Sequence, residues 1–456
     1  MSQASTHEER VQAVAAAIRA RAAAGDARQV SLGKREVSHF VPNPNDPRHR
    51  DKKVDIRALC EILHVDAERR LCVAEPGVSF KTLLRRTLPL GLMPKLVPEL
   101  EGITLGGAIS GCSVESMSYK YGGFHDSCSE YEIVTGTGEI LTVTRESDAL
   151  LFDMLHGSYG TLAILTRITC DLIPAQPLVR MEYVKYPDFA TFEAALTAAQ
   201  RDPGVDFIDA IAHAPDEIVL CLGRLSATAP RKPSNYRFLD IYYKSTRRLA
   251  EDTLTLEDYV FRYDTECHWL TRTLPGLERK PVRLLLGKLL LGSTNLLTWS
   301  RRIRPLLRLK RHPEVVVDVF IPSPRFADFF AWYVKAIDYW PLWIVPYRLP
   351  RPYPWVSPAQ QARTGGDLYI DCAVYGKRND DPRINYYKAL EEKTFELGGI
   401  KTLISENYYD ERRFWEIYDR AAWDTVKRRT DPGNLFRDLY KKFHFLKDDR
   451  AASLIS

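Results

Sequence analysis

The sequence predicts an α+β fold in two domains, and three observations carry that expectation. Four glycine-bearing clusters follow one another between Val97 and Arg167, separated by short apolar runs of strand length. Within them, EIVTGTGEILTVT alternates apolar and polar residues on both sides of Thr135-Gly136-Thr137-Gly138, the signature of a β-hairpin. Past Pro174, in IPAQP, the texture shifts to long aromatic-rich segments with fewer glycines. The domains are read as 26–175, 176–419 and a final stretch, 420–450, that returns to the first domain.

The first residues have an Ala-rich period near 3.6 with charges throughout, so they predict a short amphipathic helix rather than an export signal. The segment Val30 to Asn43 follows between two early strands. Its Gly33, Lys34, Arg35 and Ser38 offer a pliable backbone, two cations and a hydroxyl, which suits an anion site or, more plainly, a basic surface turn. From Val54 to Pro94 the pattern runs strand, turn at Glu75-Pro76-Gly77, then a helix ending before Gly91. Gly106 and Gly107 come after a short apolar strand, where missing Cβ atoms let backbone N–H groups approach an anionic pyrophosphate. Gly157 and Gly160, in HGSYGTLAIL, precede another apolar strand, leaving bare backbone on which a flat ring can lie.

Composition narrows the function classes. The chain has 456 residues, 45% of them apolar and 27% charged, enough for two packed domains. A net charge of +5 at this size does not argue for nucleic acid. Eight cysteines without a CxxC spacing fit reduced thiols in a cytoplasmic setting, and no ligand spacing for a metal is present. No run of about 18 uncharged apolar residues exists, so no spanning helix is expected. One segment stands out: residues 276–312 hold ten Lys or Arg against one Glu, with leucines between them. Such a stretch reads either as cap helices with a solvated basic face or as a peripheral contact with an anionic membrane.

There is no GxGxxG after a strand and no GxxxxGK[ST] loop, which sets aside Rossmann and P-loop domains. The ordered glycine clusters instead resemble the PCMH-type FAD-binding domain of the vanillyl-alcohol-oxidase flavoproteins. GCSVESMSYKYGGF, with Glu115, Ser116, Ser118, Lys120 and Gly122, resembles the Δ24-sterol reductase branch. The likeness continues through Tyr339 to Pro350, Asp367 to Gly376 and Glu396 to Asp419. It implies a two-subdomain FAD-binding domain with an α+β cap built on an antiparallel sheet.

By that resemblance FAD is held non-covalently, since Thr104 stands where related oxidases place a cysteine; His39, beside Ser38, is the other attachment point to watch. Besides the residues of the early loop, the cofactor set comprises Thr104, Gly106, Gly107 and Ser110, then Ser116 and Ser118, and finally Gly157, Gly160 and Ile164. The implied reaction is transfer of a hydride to one carbon of a lipid C=C bond and of a proton to the other, with NADPH as electron donor. Glu115 matches the acid of the family's ES motif; the alternative is that its carboxylate caps a helix or pairs with Lys120. Tyr369, Asp371, Glu406 and His125 complete the catalytic candidates, and period-2 alternation puts Tyr369, Asp371, Ala373 and Tyr375 on one strand face. Eight aromatic residues between Trp332 and Trp355 suit an apolar ligand. A sterol side chain and a methylene-bearing fatty acyl phospholipid are both candidate substrates. An alcohol or sugar oxidase on the same flavin domain, and a lipid-binding scaffold that has lost the chemistry, are the competing readings.

Overall fold

A computed structural model describes residues 5–25, 28–36, 46–273, 276–303, 314–444, 448 and 450–452. Helix His7–Ala23 starts at a capping box in which Thr6 and Glu9 satisfy each other's backbone N–H groups. Its Val11, Val14, Ala15 and Ile18 are buried against Val30, Val54, Val134, Ile164 and Phe436. This helix closes one of the cores that the following strands build.

Two short strands, β1 (Val30–Gly33) and β2 (Lys52–Asp55), pair in parallel. The second sheet of the domain uses β3 (Ile62–Asp66), β4 (Leu71–Ala74), β5 (Leu92–Pro94), β6 (Cys128–Val134), β7 (Ile140–Thr144) and β8 (Ile164–Pro174). Their order is β3-β4-β8-β6-β7, with β5 added to the far end of β8, and every pairing is antiparallel. β6 and β7 form the expected hairpin, in register from Glu130↔Thr144 to Val134↔Ile140. Its turn needs glycine at position 138, where φ is +79° and a Cβ would stand 2.4 Å from Arg19 Cγ.

The cap contains β9 (Leu178–Tyr186), β10 (Phe207–Ala214), β11 (Glu217–Ser226), β12 (Glu251–Thr255), β13 (Val315–Pro322), β14 (Leu342–Arg348), β15 (Leu368–Lys377) and β16 (Ile400–Lys401). They make one eight-stranded antiparallel sheet in the order β12-β9-β11-β10-β14-β15-β13-β16. Alternation divides its side chains into two cores. Ile211, Trp343, Val345, Ala373 and Tyr375 join the core shared with the first domain. Ala210, Val317, Ile344, Ile370 and Cys372 face the other way, under helices Phe189–Ala199, Phe326–Ala336 and Tyr386–Glu396. This splits the aromatic run: Trp332, Tyr333, Tyr339 and Trp340 fill the outer core, while Tyr347, Tyr353 and Trp355 face the first domain.

The chain then returns. Helix Arg420–Thr430 places Lys427 so that its ammonium donates to the carbonyls of Thr161 (2.8 Å) and Phe436 (2.9 Å) and pairs with Asp431 at 2.6 Å. Phe436 forms a parallel bridge to Val30, so the end of the chain packs against its beginning. All eight cysteines are free thiols, six of them buried. Among the described residues no helix is long and apolar enough to cross a membrane.

Candidate active site

Two hollows meet between the domains. The first is a cleft lined by Lys34 and Arg35 after β1, by Thr104, Gly106, Gly107 and Ser110 on helix Leu105–Gly111, and by Ser158, Tyr159 and Gly160 before β8. Thr104 caps the helix, its Oγ1 accepting from Gly107 N at 3.3 Å, and Ser110 Oγ donates to the Gly106 carbonyl at 2.7 Å. Gly106 is tightly placed: its N–H donates to the Pro76 carbonyl, and a Cβ would come within 2.6 Å of Pro76 Cβ. Gly160, at φ +70°, faces open space, where a Cβ would meet nothing within 4 Å. Bare backbone on one wall and cations on the other fit the pyrophosphate and flat ring of FAD. Gly106→Val is expected to push the helix off the Pro76 turn, costing about 1–3 kcal/mol and most of the bound flavin. A yellow, fully loaded variant with wild-type melting would contradict that role.

The second hollow, a cavity of about 430 Å³, opens on the other side of Tyr159, whose ring lines both. Its first-domain wall is Gly111, Cys112, Val114 and Gly157; its cap wall is Phe320, Tyr347, Tyr369 and Ile400, with Trp355 and Val356 beside them. Sheet register explains the cap wall, because Tyr347 lies opposite Tyr369 and Phe320 opposite both Asp371 and Ile400. Cys112, Gly157, Tyr159 and Gly160 all have positive φ, so the facing loops curl tightly around the junction of the two hollows.

Polar groups in the cavity wall are mostly committed elsewhere. Tyr347 and Tyr353 share a hydrogen bond of 2.8 Å, and Tyr353 donates to Asp126 Oδ2 at 2.5 Å. Arg351 lies 3.0 Å from Asp126 and 3.2 Å from Asp153. Lys401 is paired with buried Glu391 at 2.6 Å, and Asp367 with Arg348 at 2.8 Å. Tyr369 differs. Among the described residues its hydroxyl donates to none, and burial pushes its pKa up to about 12 against an opposing contribution from Thr364, so it stays protonated at neutral pH.

Glu115 lies outside both hollows. It is buried in an ion cluster, Oε1 facing Arg262 Nη2 at 3.0 Å while Ser116 donates to Oε2 through backbone and side chain. Arg262 also reaches Asp209 at 3.1 Å, and Tyr263 and Trp343 donate to the same carboxylate. Lys120 turns instead to Asp206, 3.7 Å away. Burial pushes the Glu115 pKa up to about 7; Arg262 opposes this and Asp209 and Glu99 add to it. A carboxyl raised above its unfolded value favours the folded state below about pH 4.5, and this contribution is lost as pH rises through about 7. Glu115→Gln is expected to flatten stability between those limits, measured by urea midpoints across pH. An unchanged pH profile would exclude the assignment.

The remaining candidates separate clearly. His125 is fully buried behind Tyr353, its ring 5.2 Å from that ring, with Nε2 3.4 Å from Asp126 and no hydrogen bond to either nitrogen among the described residues; burial lowers its pKa. Asp371 shares the Tyr369 face but is buried outside the cavity wall, with Oδ1 unpartnered among the described residues, and burial raises its pKa well above the usual carboxylate value. Glu406 is buried, accepting from Tyr408 at 2.5 Å, away from both hollows. Gly33 is held in the β1–β2 pairing; Ser116 and Ser118 bind Glu115; Ile164 packs in the core beneath the first helix. None of these four lines either hollow. Ser38 and His39 lie outside the described residues. Sequence reasoning passed over Tyr159, Cys112, Arg351 and Asp126. Tyr159 sits inside the HGSYG motif and Asp126 directly follows His125, so the motifs themselves marked the right places.

Residues 38–144 match the family model of an FAD binding domain. Over 402 residues the chain is 25% identical to the Delta(24)-sterol reductase of Homo sapiens, covering 84% of this chain and 76% of that protein. Over 480 residues it is 24% identical to the Delta(24)-sterol reductase of Pisum sativum, covering 96% and 84%. A more distant relative is cytokinin dehydrogenase 7 of Oryza sativa subsp. japonica, 22% identical over 422 residues, 83% of this chain and 75% of that one. The glycine-lined cleft is the feature that an FAD-binding domain requires, and the similarity runs on through the cap that closes it. The chain therefore carries an FAD-binding domain and is similar over most of its length to Δ24-sterol reductases.

Proposed function

We propose that the protein reduces a carbon–carbon double bond in a lipid, with FAD in the cleft and NADPH as the source of electrons. The observation that supports this most is the cavity of about 430 Å³: its walls are largely apolar, it adjoins the flavin cleft at Tyr159, and its wall carboxylate and cations are already paired. Oxidation of an alcohol needs an unengaged base near the hydroxyl, whereas an alkene needs a dry pocket and one proton donor. Held by the Lys34, Arg35, Gly106 and Gly160 lining of the cleft, FAD would supply two-electron hydride chemistry between NADPH and a substrate carbon. Phe320, Trp355, Val356 and Ile400 hold the apolar chain and exclude water; Tyr369 gives its hydroxyl proton to the second alkene carbon and is reprotonated from solvent after product leaves. Glu115 acts as a fastener between domains rather than as the acid.

Both a Δ24 sterol and a methylene-bearing acyl phospholipid fit a cavity with this lining. Incubation with NADPH and each lipid in turn, followed by mass analysis, separates them: the substrate gains two hydrogens. Neither lipid changing mass while NADPH is consumed would set the substrate class aside.

A further inference from the structure

Helix Lys280–Leu290 is turned with its leucines outward. Leu285 is 82% exposed, Leu284 64%, Leu289 55% and Leu286 45%. The orientation is enforced from beneath. Arg283, fully buried, makes a bidentate pair with Glu266 at 2.7 and 2.8 Å, and its Nε donates to the Phe238 carbonyl at 2.6 Å. Gly287 lies against the Phe238 ring, where a Cβ would come within 2.5 Å of Cε2. Rotating the helix to hide the leucines would break a buried ion pair and clash at Gly287. The exposed face is therefore a built feature and larger than a scatter of single apolar residues.

We infer that this helix is a docking surface for an anionic lipid bilayer. The segment 276–312 that contains it holds nine Lys or Arg besides the buried Arg283, against one Glu, and Arg279 and Lys280 are exposed at the helix start. Leucines at the depth of the acyl boundary with cations at the level of acidic headgroups is the arrangement of interfacial helices. A second copy of the chain is a poorer occupant, because a two-fold contact would set the two basic segments against each other. The inference is independent of the reductase reading, since it concerns a surface and not the cavity.

The test is co-sedimentation of the FAD-loaded protein with vesicles of phosphatidylglycerol and phosphatidylcholine, and with phosphatidylcholine alone. Wild-type protein is expected to bind the mixed vesicles, more weakly as salt rises, and a Leu285→Asp/Leu289→Asp variant to lose about tenfold or more of that binding while keeping its flavin. Equal binding by the variant overturns the assignment, as does equal binding of the wild type to neutral vesicles. It is also overturned if the wild type is a dimer that the variant converts to monomer. These vesicles carry no reducible alkene substrate, so the outcome does not depend on catalysis.

Discussion

Tyr369→Phe is expected to lower turnover by about 10²–10⁴-fold, the usual worth of a positioned proton donor. An isolated alkene accepts hydride poorly, so proton delivery has to lead or accompany it, and the acid must face the substrate carbon. Among the five cavity tyrosines, Tyr347 and Tyr353 have committed their hydroxyls to each other and to Asp126, Tyr418 donates to the Lys401 carbonyl at 3.5 Å, and Tyr159 accepts from Leu403 N at 3.1 Å. Tyr159 and Tyr369 both keep their protons uncommitted among the described residues, and Tyr369 is the one on the cap wall of the cavity. The substitution removes one oxygen from a residue only 4% exposed, so flavin content should hold and stability should change by no more than about 1 kcal/mol. Flavin reduction by NADPH should also be unaffected, because it does not need this proton. Undiminished alkene reduction by the variant would remove Tyr369 from the reaction.

The second large effect concerns stability. Arg262→Met is expected to cost about 3–5 kcal/mol, because it strands two carboxylates in the interior. Arg262 is fully buried, 3.0 Å from Glu115 of the first domain and 3.1 Å from Asp209 on β10 of the cap, with its guanidinium 4.3 Å from the Tyr259 ring centre. The cluster thus ties the segment after the glycine helix to the cap sheet, and Cys112 and Val114 of the cavity wall ride on that segment. Loosening it should lower both the urea midpoint and the affinity for flavin. Adding Glu115→Gln and Asp209→Asn to Arg262→Met is expected to recover part of the loss, since neutral groups cost less to bury. A single Arg262→Met variant as stable as wild type would mean that the carboxylates are neutral or hydrated.

Much of this architecture was legible because it depends on local rules. The hairpin at Thr135 to Gly138 follows from positive φ and alternation; the Glu75-Pro76-Gly77 turn is fixed by Gly77, where a Cβ would come within 2.4 Å of the Leu59 carbonyl oxygen. The glycine clusters around Gly106 and Gly160 marked the cleft for similar reasons: a Cβ at Gly106 would strike Pro76, and Gly160 has φ +70°. The β15 alternation also held, with Tyr369 on the face that closes the cavity. What the sequence hid is pairing at a distance. Glu115 is 147 residues from Arg262, and nothing near Glu115 in the chain says that its partner is a cap arginine rather than Lys120. Likewise, period 2 separates the faces of β14 without saying which one meets the flavin domain, so the sequence does not tell which of Trp343 and Ile344 belongs to the shared core and which to the outer one.

The most direct test of the central claim is to reduce the FAD-loaded protein with NADPH without oxygen, remove excess nicotinamide, and add a Δ24 sterol or a methylene-bearing acyl phospholipid while following the oxidised-flavin absorbance. The account predicts that one of the two lipids restores the oxidised spectrum and emerges saturated. If both leave the flavin reduced, and an alcohol instead bleaches the oxidised protein, electrons flow in the opposite direction and the cavity belongs to an oxidase.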